Sequence, residues 1–236
     1  MSALKIQDYR QLSGNTLKLI AAVAMLIDHV GYILLPQYRI LRYIGRLAFP
    51  VFAFMIAEGC HYTKNRLRYF LTIFLLGAAW QGARLLLFRD SYMNILLTFS
   101  CSLLLIYLLQ EWKARNKIWM LFPFAGAVGA CYLLTRYVSL DYGFWGILVP
   151  VLTSLVFPAR GSKIDDECRN FSLVMFGTGL SVLAVYAGGS QYFSLLALPL
   201  MYFYSGQRGK RNFKYAFYLF YPLHLIVLEL LARLIP

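Results

Sequence analysis

Apolar stretches of about 20 residues follow one another along this chain with only short polar breaks, and that pattern constrains the fold more than any single motif. A stretch of that length crosses a hydrocarbon core of ~30 Å as one helix, with its backbone hydrogen bonds closed internally. The pattern predicts an all-α, polytopic transmembrane helical bundle of about nine spans (eight to ten), forming a single integral membrane domain over residues 1–236. The first span is expected from Leu17 to Pro36, and the others near 41–59, 67–88, 93–112, 117–135, 142–158, 170–188, 190–204 and 213–235. The first stretch is too long for a signal-peptide core and lacks a small-x-small cleavage site, so it reads as a retained span. Composition agrees, with 60% of residues hydrophobic and 14% charged, against about 25% charged in a soluble domain. Roughly 50 residues are left for loops. That excludes an appended catalytic, nucleotide-binding or DNA-binding domain and places any chemistry within the spans or at their ends.

The formal net charge of +13 then reports orientation in the lipid bilayer and not a nucleic-acid partner. With nine spans, sixteen Lys and Arg residues, from Lys5 to Lys214, fall on the amino-terminal side. Six fall on the other side, Arg39, Arg42, Arg84, Arg89, Arg136 and Arg233, and Arg46 lies inside a span. Positive loops stay cytoplasmic, so the amino terminus is expected in the cytoplasm and the carboxyl terminus outside, in a multi-pass protein of the cell (inner or plasma) membrane.

Ionisable side chains inside spans cost about 2.5–3.5 kcal/mol each near mid-membrane, so each calls for a reason. Asp28 and His29 fall near the middle of the first span, Arg46 in the outer third of the second, Gln81 and Arg84 at the outer end of the third, and His224 at the middle of the ninth. Asn94, Asp141 and Tyr142 open later spans from the same side. An ion pair between helices, Asp28 with Arg46, accounts for two of these groups without any function; a shared polar chamber accounts for the set. Pro50 has no N–H to give the carbonyl of Arg46, and Pro222 none for that of Tyr218, so a kink that bares an acceptor is expected at each.

On the inner side Glu58 and His61 precede Lys64, Arg66 and Arg68, and a second basic run ends at Lys214. Lipid headgroups explain such runs, and so does a seat for the phosphates of a cytosolic cofactor. Cys60, Cys101, Cys131 and Cys168 are scattered without a CxxC pair and give no metal or disulfide framework.

Four stretches, in this order, resemble the TraX family, named for the protein associated with amino-terminal acetylation of conjugative pilin. They are LIAAVAMLIDHVG at 19–31, LRYIGRLAFPVFAFMIAEGCHYTKNRLRYF at 41–70, DYGFWGIL at 141–148 and KYAFYLFYPLHLIVLELL at 214–231. The family is similar to a wider group of membrane acyltransferases that use cytosolic acyl-CoA. The resemblance implies an integral membrane acyltransferase that moves an acetyl group from acetyl-CoA to an amine or hydroxyl of a membrane-associated or extracytoplasmic acceptor: a protein such as a pilin, a glycan or a small molecule.

Acyl transfer needs a base for the acceptor's proton and a donor for the developing oxyanion. Within the matching motifs His29 is the first choice of base. Asp28 is assigned to Arg46, because neighbouring side chains diverge by about 100° around a helix. Arg46, or Arg84 with Gln81, is assigned to the oxyanion or to gripping the donor, and Lys64, Arg66, Arg68 and Lys214 to the donor's phosphates. His224 is a second acid or base, the acyl acceptor of a two-step route, or a structural histidine. The alternative reading is a polytopic transporter or flippase with a buried His/Asp/Arg relay, and the third a scaffold. The sequence carries no evident inverted repeat to favour a transporter.

Overall fold

The structure, a computed structural model, describes residues 10–89, 91–158, 160–209 and 214–234. The described chain is all-α. In order it forms α1 (Gly14–Ile33), α2 (Arg39–Gly45), α3 (Ala48–Tyr62), α4 (Arg66–Phe88), α5 (Ile95–Arg115), α6 (Leu121–Tyr137), α7 (Gly143–Ser154), α8 (Asp166–Ala187), α9 (Ala197–Tyr202) and α10 (Lys214–Leu234), with 3-10 segments at Ile118–Met120 and Gly189–Leu196.

Among the described residues six stretches are long and apolar enough to cross a membrane: Gly14–Ile33, Arg39–Tyr62, Arg66–Leu87, Ile95–Arg115, Ile118–Tyr137 and Asp166–Ala187. The chain is a multi-pass membrane protein. The six differ from the expected nine at identifiable places. The expected seventh and first spans correspond to α8 and α1, but the segment expected to cross at 190–204 is a 3-10 segment followed by the six-residue α9. Hydropathy reads composition and does not tell a 3-10 segment from an α-helix; Gly188 and Gly189, at φ 65° and 54°, turn the backbone just before this stretch. The helix in the expected 142–158 span, α7, has only 12 residues, about 18 Å of rise. With 21 residues, α10 has the length of the long helices.

The second expected span is interrupted. Arg46 closes α2 and α3 begins at Ala48, so Pro50 sits in the first turn of a helix, where its missing N–H would have had no intrahelical partner. The kink expected at Pro50 is therefore a break between two helices. Pro222, in contrast, lies inside an uninterrupted α10.

The chain forms two compact units, one of residues up to Phe52 together with those from Ala187 onward, the other of Ala53–Tyr186. In the first, Ser13 caps α1 by accepting from the Thr16 N–H at 3.2 Å. Its neighbours pair with the stretch after α9: Leu12 N–H donates to Phe203 O, Gly14 N–H to Gln207 O and Asn15 N–H to Arg208 O. Two segments that the charge pattern assigned to the same side of the membrane are thus joined. Close approach of α1 and α2 depends on glycine, since a Cβ on Gly31 would lie 2.6 Å from Leu41 Cβ.

In the second unit α5 and α7 run side by side in the same direction. Thr98 Oγ1 donates to Asp141 O and Ser102 Oγ to Ile147 O, both at 2.8 Å. Lys113 Nζ then gathers the carbonyls of Ser154, Leu155 and Phe157 where α7 ends. The short helix and its non-helical ends keep pace with α5 from Thr98 to Lys113, about 22 Å of rise. Ala53, Ala57 and Cys60 on α3, Leu103 and Ile106 on α5, Ile147 and Val149 on α7, and Phe176 and Leu180 on α8 are fully buried. Gly179 lets α8 approach α7, its Cβ position falling 3.4 Å from Val149 Cα. Leu75, Leu86, Phe122, Tyr137 and Val185 are exposed, as lipid-facing side chains are.

Candidate functional site

The first unit gathers charged and imidazole side chains around one carboxylate. Asp28, on α1, receives Arg42 Nη1 on Oδ2 at 2.6 Å and Arg46 Nη2 on Oδ1 at 3.2 Å. The side chains of Asp28 and Arg46 are 14% and 13% exposed. Two guanidiniums against one carboxylate leave the triad with a net positive charge. Arg42 also lies over the Tyr32 ring, 5.0 Å from its centroid, in a cation–π contact. The α2 helix supplies both arginines because positions 42 and 46 are one turn apart and share a face. Gly45, between them, packs directly on the carboxylate: a Cβ there would fall 2.1 Å from Asp28 Oδ1.

The next residue of α1 faces a different partner. His29 Nδ1 lies 2.9 Å from His224 Nε2, and His224 Nδ1 lies 2.7 Å from the carbonyl oxygen of Phe220. A carbonyl only accepts, so His224 Nδ1 carries the proton. In the neutral ring His224 Nε2 is then the acceptor, His29 Nδ1 the donor, and His29 Nε2 holds the lone pair. The Phe220 ring stacks on His224 at 4.7 Å and 11°, and His224 is 6% exposed, which fixes the second ring in place.

A third element closes the cluster. Arg46 Nη1 donates to Gln191 Oε1 at 3.4 Å, and Tyr43 stacks on Phe193 at 4.3 Å and 8°, seating α2 against the 3-10 segment Gly189–Leu196. Gln191 and Ser194 are 5% and 0% exposed. Among the described residues Gln191 Nε2 and Ser194 Oγ have no hydrogen-bond partner.

Of the residues singled out from the sequence, Asp28, His29, Arg46 and His224 are thus brought together, and the Asp28–Arg46 ion pair is present. Gln81 and Arg84 belong to the other unit and serve the turn between α4 and α5. Gln81 Oε1 accepts from the Asn94 N–H at 3.1 Å and from Asn94 Nδ2 at 3.2 Å, and Arg84 Nη1 donates to Tyr92 O at 3.1 Å. Arg66 is ion-paired with Glu111 and donates to Gln110 Oε1 at 3.1 Å, with the Tyr107 ring 5.4 Å away. Lys64 and Arg68 are exposed, and Asn65 Oδ1 caps α4 by accepting from the Arg68 N–H at 2.8 Å. Lys214 opens α10, and its side chain lies outside the described residues. His61 is buried and donates from Nε2 to Ser162 O at 2.8 Å, a packing role.

Sequence reasoning left Arg42 among the outer-side loop charges and passed over Gln191 and Ser194. The spacing of Arg42 to Arg46 was a usable signal for the first. Nothing in hydropathy marked the other two, because their meaning depends on a 3-10 backbone.

The family model described as TraX protein matches residues 13–232. The probable fimbrial assembly protein FimC, serogroup H1, of Dichelobacter nodosus is 26% identical over 249 residues, covering 92% of this chain and 94% of that protein. An uncharacterized protein of Rickettsia prowazekii (strain Madrid E) is 32% identical over 152 residues, covering 64% of this chain and 57% of its own length. No solved structure matches the chain. With a family model covering nearly its whole length, the chain belongs to the TraX family.

Proposed function

We propose that the protein is a membrane acetyltransferase, taking an acetyl group from acetyl-CoA to an amine or hydroxyl acceptor. Its membership of the TraX family and its likeness to a fimbrial assembly protein favour a pilin or fimbrial subunit as that acceptor. The observation that carries the reading is the directed pair His224–His29, whose hydrogen bonds leave a lone pair on His29 Nε2.

In this reading His29 Nε2 takes the acceptor's proton as the acceptor's lone pair forms the new bond to the acyl carbon. As the carbon–sulfur bond breaks, with its electrons on sulfur, the same nitrogen returns the proton and free CoA thiol leaves. The products are the acetylated acceptor and CoA, and no other reactant is needed. His224 is a positioning residue that fixes the tautomer of His29, as a carboxylate or carbonyl does for other catalytic histidines. Asp28 holds Arg42 and Arg46 in place, and the net positive charge of the triad favours the negative charge that builds on the acyl oxygen.

The break between α2 and α3 beside a charged cluster also suits the transporter or flippase reading, in which interrupted helices line a substrate path. One experiment separates the two. Purified full-length protein in detergent, given labelled acetyl-CoA and an acceptor peptide, is expected to release CoA and label the peptide. His29→Ala should lower that turnover by about 10²–10⁴-fold while leaving membrane insertion unchanged. Near-normal turnover in the variant removes His29 as base, and absence of acetyl-CoA binding by the folded wild type removes the enzyme.

A further inference from the structure

Buried hydroxyls in this chain are, as a rule, satisfied by a carbonyl about one turn back. Ser100 donates to Leu96 O, Thr153 to Val149 O, Ser154 to Val151 O and Ser172 to Arg169 O, each at 2.8 Å. Ser194 departs from the rule: it is 0% exposed, and among the described residues its Oγ has no partner. Three residues earlier, Gln191 is in the same condition at its amide nitrogen, with 5% exposure.

The two positions are related by backbone geometry. In a 3-10 segment side chains three apart eclipse one another, so Gln191 and Ser194 project from one side of Gly189–Leu196. Gln191 is also held at a single end, by Arg46 Nη1 on its Oε1 at 3.4 Å. That bond fixes which way the amide points, since the oxygen is committed to Arg46 and the –NH₂ must lie on the other side. It also draws electron density from the amide and strengthens its N–H groups as donors. A desolvated N–H and O–H from one side of a 3-10 segment, the amide bonded to a guanidinium, form a donor set for one oxygen. Leaving them unmatched is costly, and a carbonyl oxygen that acquires negative charge is the acceptor such a pair fits best.

We infer that Gln191 Nε2 and Ser194 Oγ bind the carbonyl oxygen of the acyl group and hold it as the carbonyl carbon becomes tetrahedral. This rests on the acetyl-transfer reading and sharpens it. Arg46 is a positioning residue, spent on Asp28 and on the amide of Gln191, and the groups that touch the acyl oxygen come from the 3-10 segment. When the acceptor's lone pair bonds to the carbon, the π pair of the C=O moves onto the oxygen between these two donors. It returns to re-form the carbonyl as the bond to sulfur breaks.

The test compares acetyl-CoA with S-ethyl-CoA, a thioether that keeps the nucleotide and pantetheine but has a methylene in place of the carbonyl. Binding of each to the full-length detergent-purified protein is measured by calorimetry. The wild type is expected to prefer acetyl-CoA by about tenfold. Gln191→Glu keeps the contact to Arg46 and the size of the side chain while removing the N–H donor, and Ser194→Ala removes one oxygen from a buried position. In each variant the preference should fall toward unity with S-ethyl-CoA affinity unchanged, and kcat for CoA release should drop about 10²-fold or more in Gln191→Glu, a larger loss than the roughly tenfold rise in KM that the weaker acetyl-CoA binding brings.

A purely structural role for Gln191 predicts the reverse, because Gln191→Glu adds an ion pair to Arg46 and should leave the preference intact. Retained preference in a folded variant, or its absence in the wild type, overturns the inference and leaves acetyl transfer standing. If Gln191→Glu does not fold, Ser194→Ala decides alone by the same ratio. A folded wild type that binds neither compound fails at the earlier step, as a failure of the acetyltransferase reading itself.

Discussion

The polar groups around Asn94 and those around Asp28 belong to different units of this apolar chain, and their partners differ in kind. Around Asn94 almost every bond ends on backbone or on a neutral amide. Asn94 Nδ2 donates to Gly77 O at 2.8 Å, its Oδ1 accepts from the Leu96 N–H at 3.1 Å, and Arg84 donates to Tyr92 O. Such bonds begin a helix and fasten a turn. Around Asp28 the partners are charged side chains and rings from three separate stretches of chain, and two buried donors beside them have no partner among the described residues. Polar residues in membrane helices therefore sort less by their own type than by what satisfies them: backbone marks a joint, and opposed side chains mark a site.

That contrast breaks most visibly at Asp28. Replacing it with Ala leaves two half-buried guanidiniums without their carboxylate, and we expect a loss of about 3–5 kcal/mol, read from unfolding in mixed micelles, together with lost turnover. A smaller effect is expected at Asn94. Asn94→Ala removes a helix cap and a bond to Gly77 and should cost about 1–2 kcal/mol, with CoA release per folded molecule within about twofold of wild type. If that variant folded normally yet failed to turn over, the joint would have to be counted as part of the site. The smallest effect belongs to the exposed basic residues. Lys64→Ala combined with Arg68→Ala should raise KM for acetyl-CoA about two- to fivefold, more at low salt than at high salt, without altering kcat. No change at any salt concentration would return both residues to an orienting or headgroup role.

Much of the fold was legible because hydropathy and length follow directly from the cost of placing backbone in lipid. The long helices fall within a few residues of the expected spans, and loops that the charge pattern placed on one side are hydrogen-bonded to each other, Leu12 with Phe203 and Gly161 with His61. The break after Gly45 was signalled by Pro50 but read as a kink, since a proline in a helix and a proline that begins one look alike in sequence. The 190–204 stretch, expected as one span, is a 3-10 segment followed by the short α9, a difference its apolar residues do not encode. In the site, Asp28, His29, Arg46 and His224 were visible as charges and imidazoles where lipid was expected. Gln191 and Ser194 were invisible, because a neutral polar side chain gains significance only from the geometry that leaves it unmatched.

Gly45 carries a consequence for how the cluster can vary. Its missing side chain is the space the Asp28 carboxylate occupies, since any Cβ would sit 2.1–2.4 Å from three of that residue's atoms. Helix contact and electrostatic balance are consequently a single fitted joint: α2 cannot be slid, rolled or rebuilt at this point without evicting the anion that neutralises it. A change from hydrogen to methyl at this one position would register as a fault of charge.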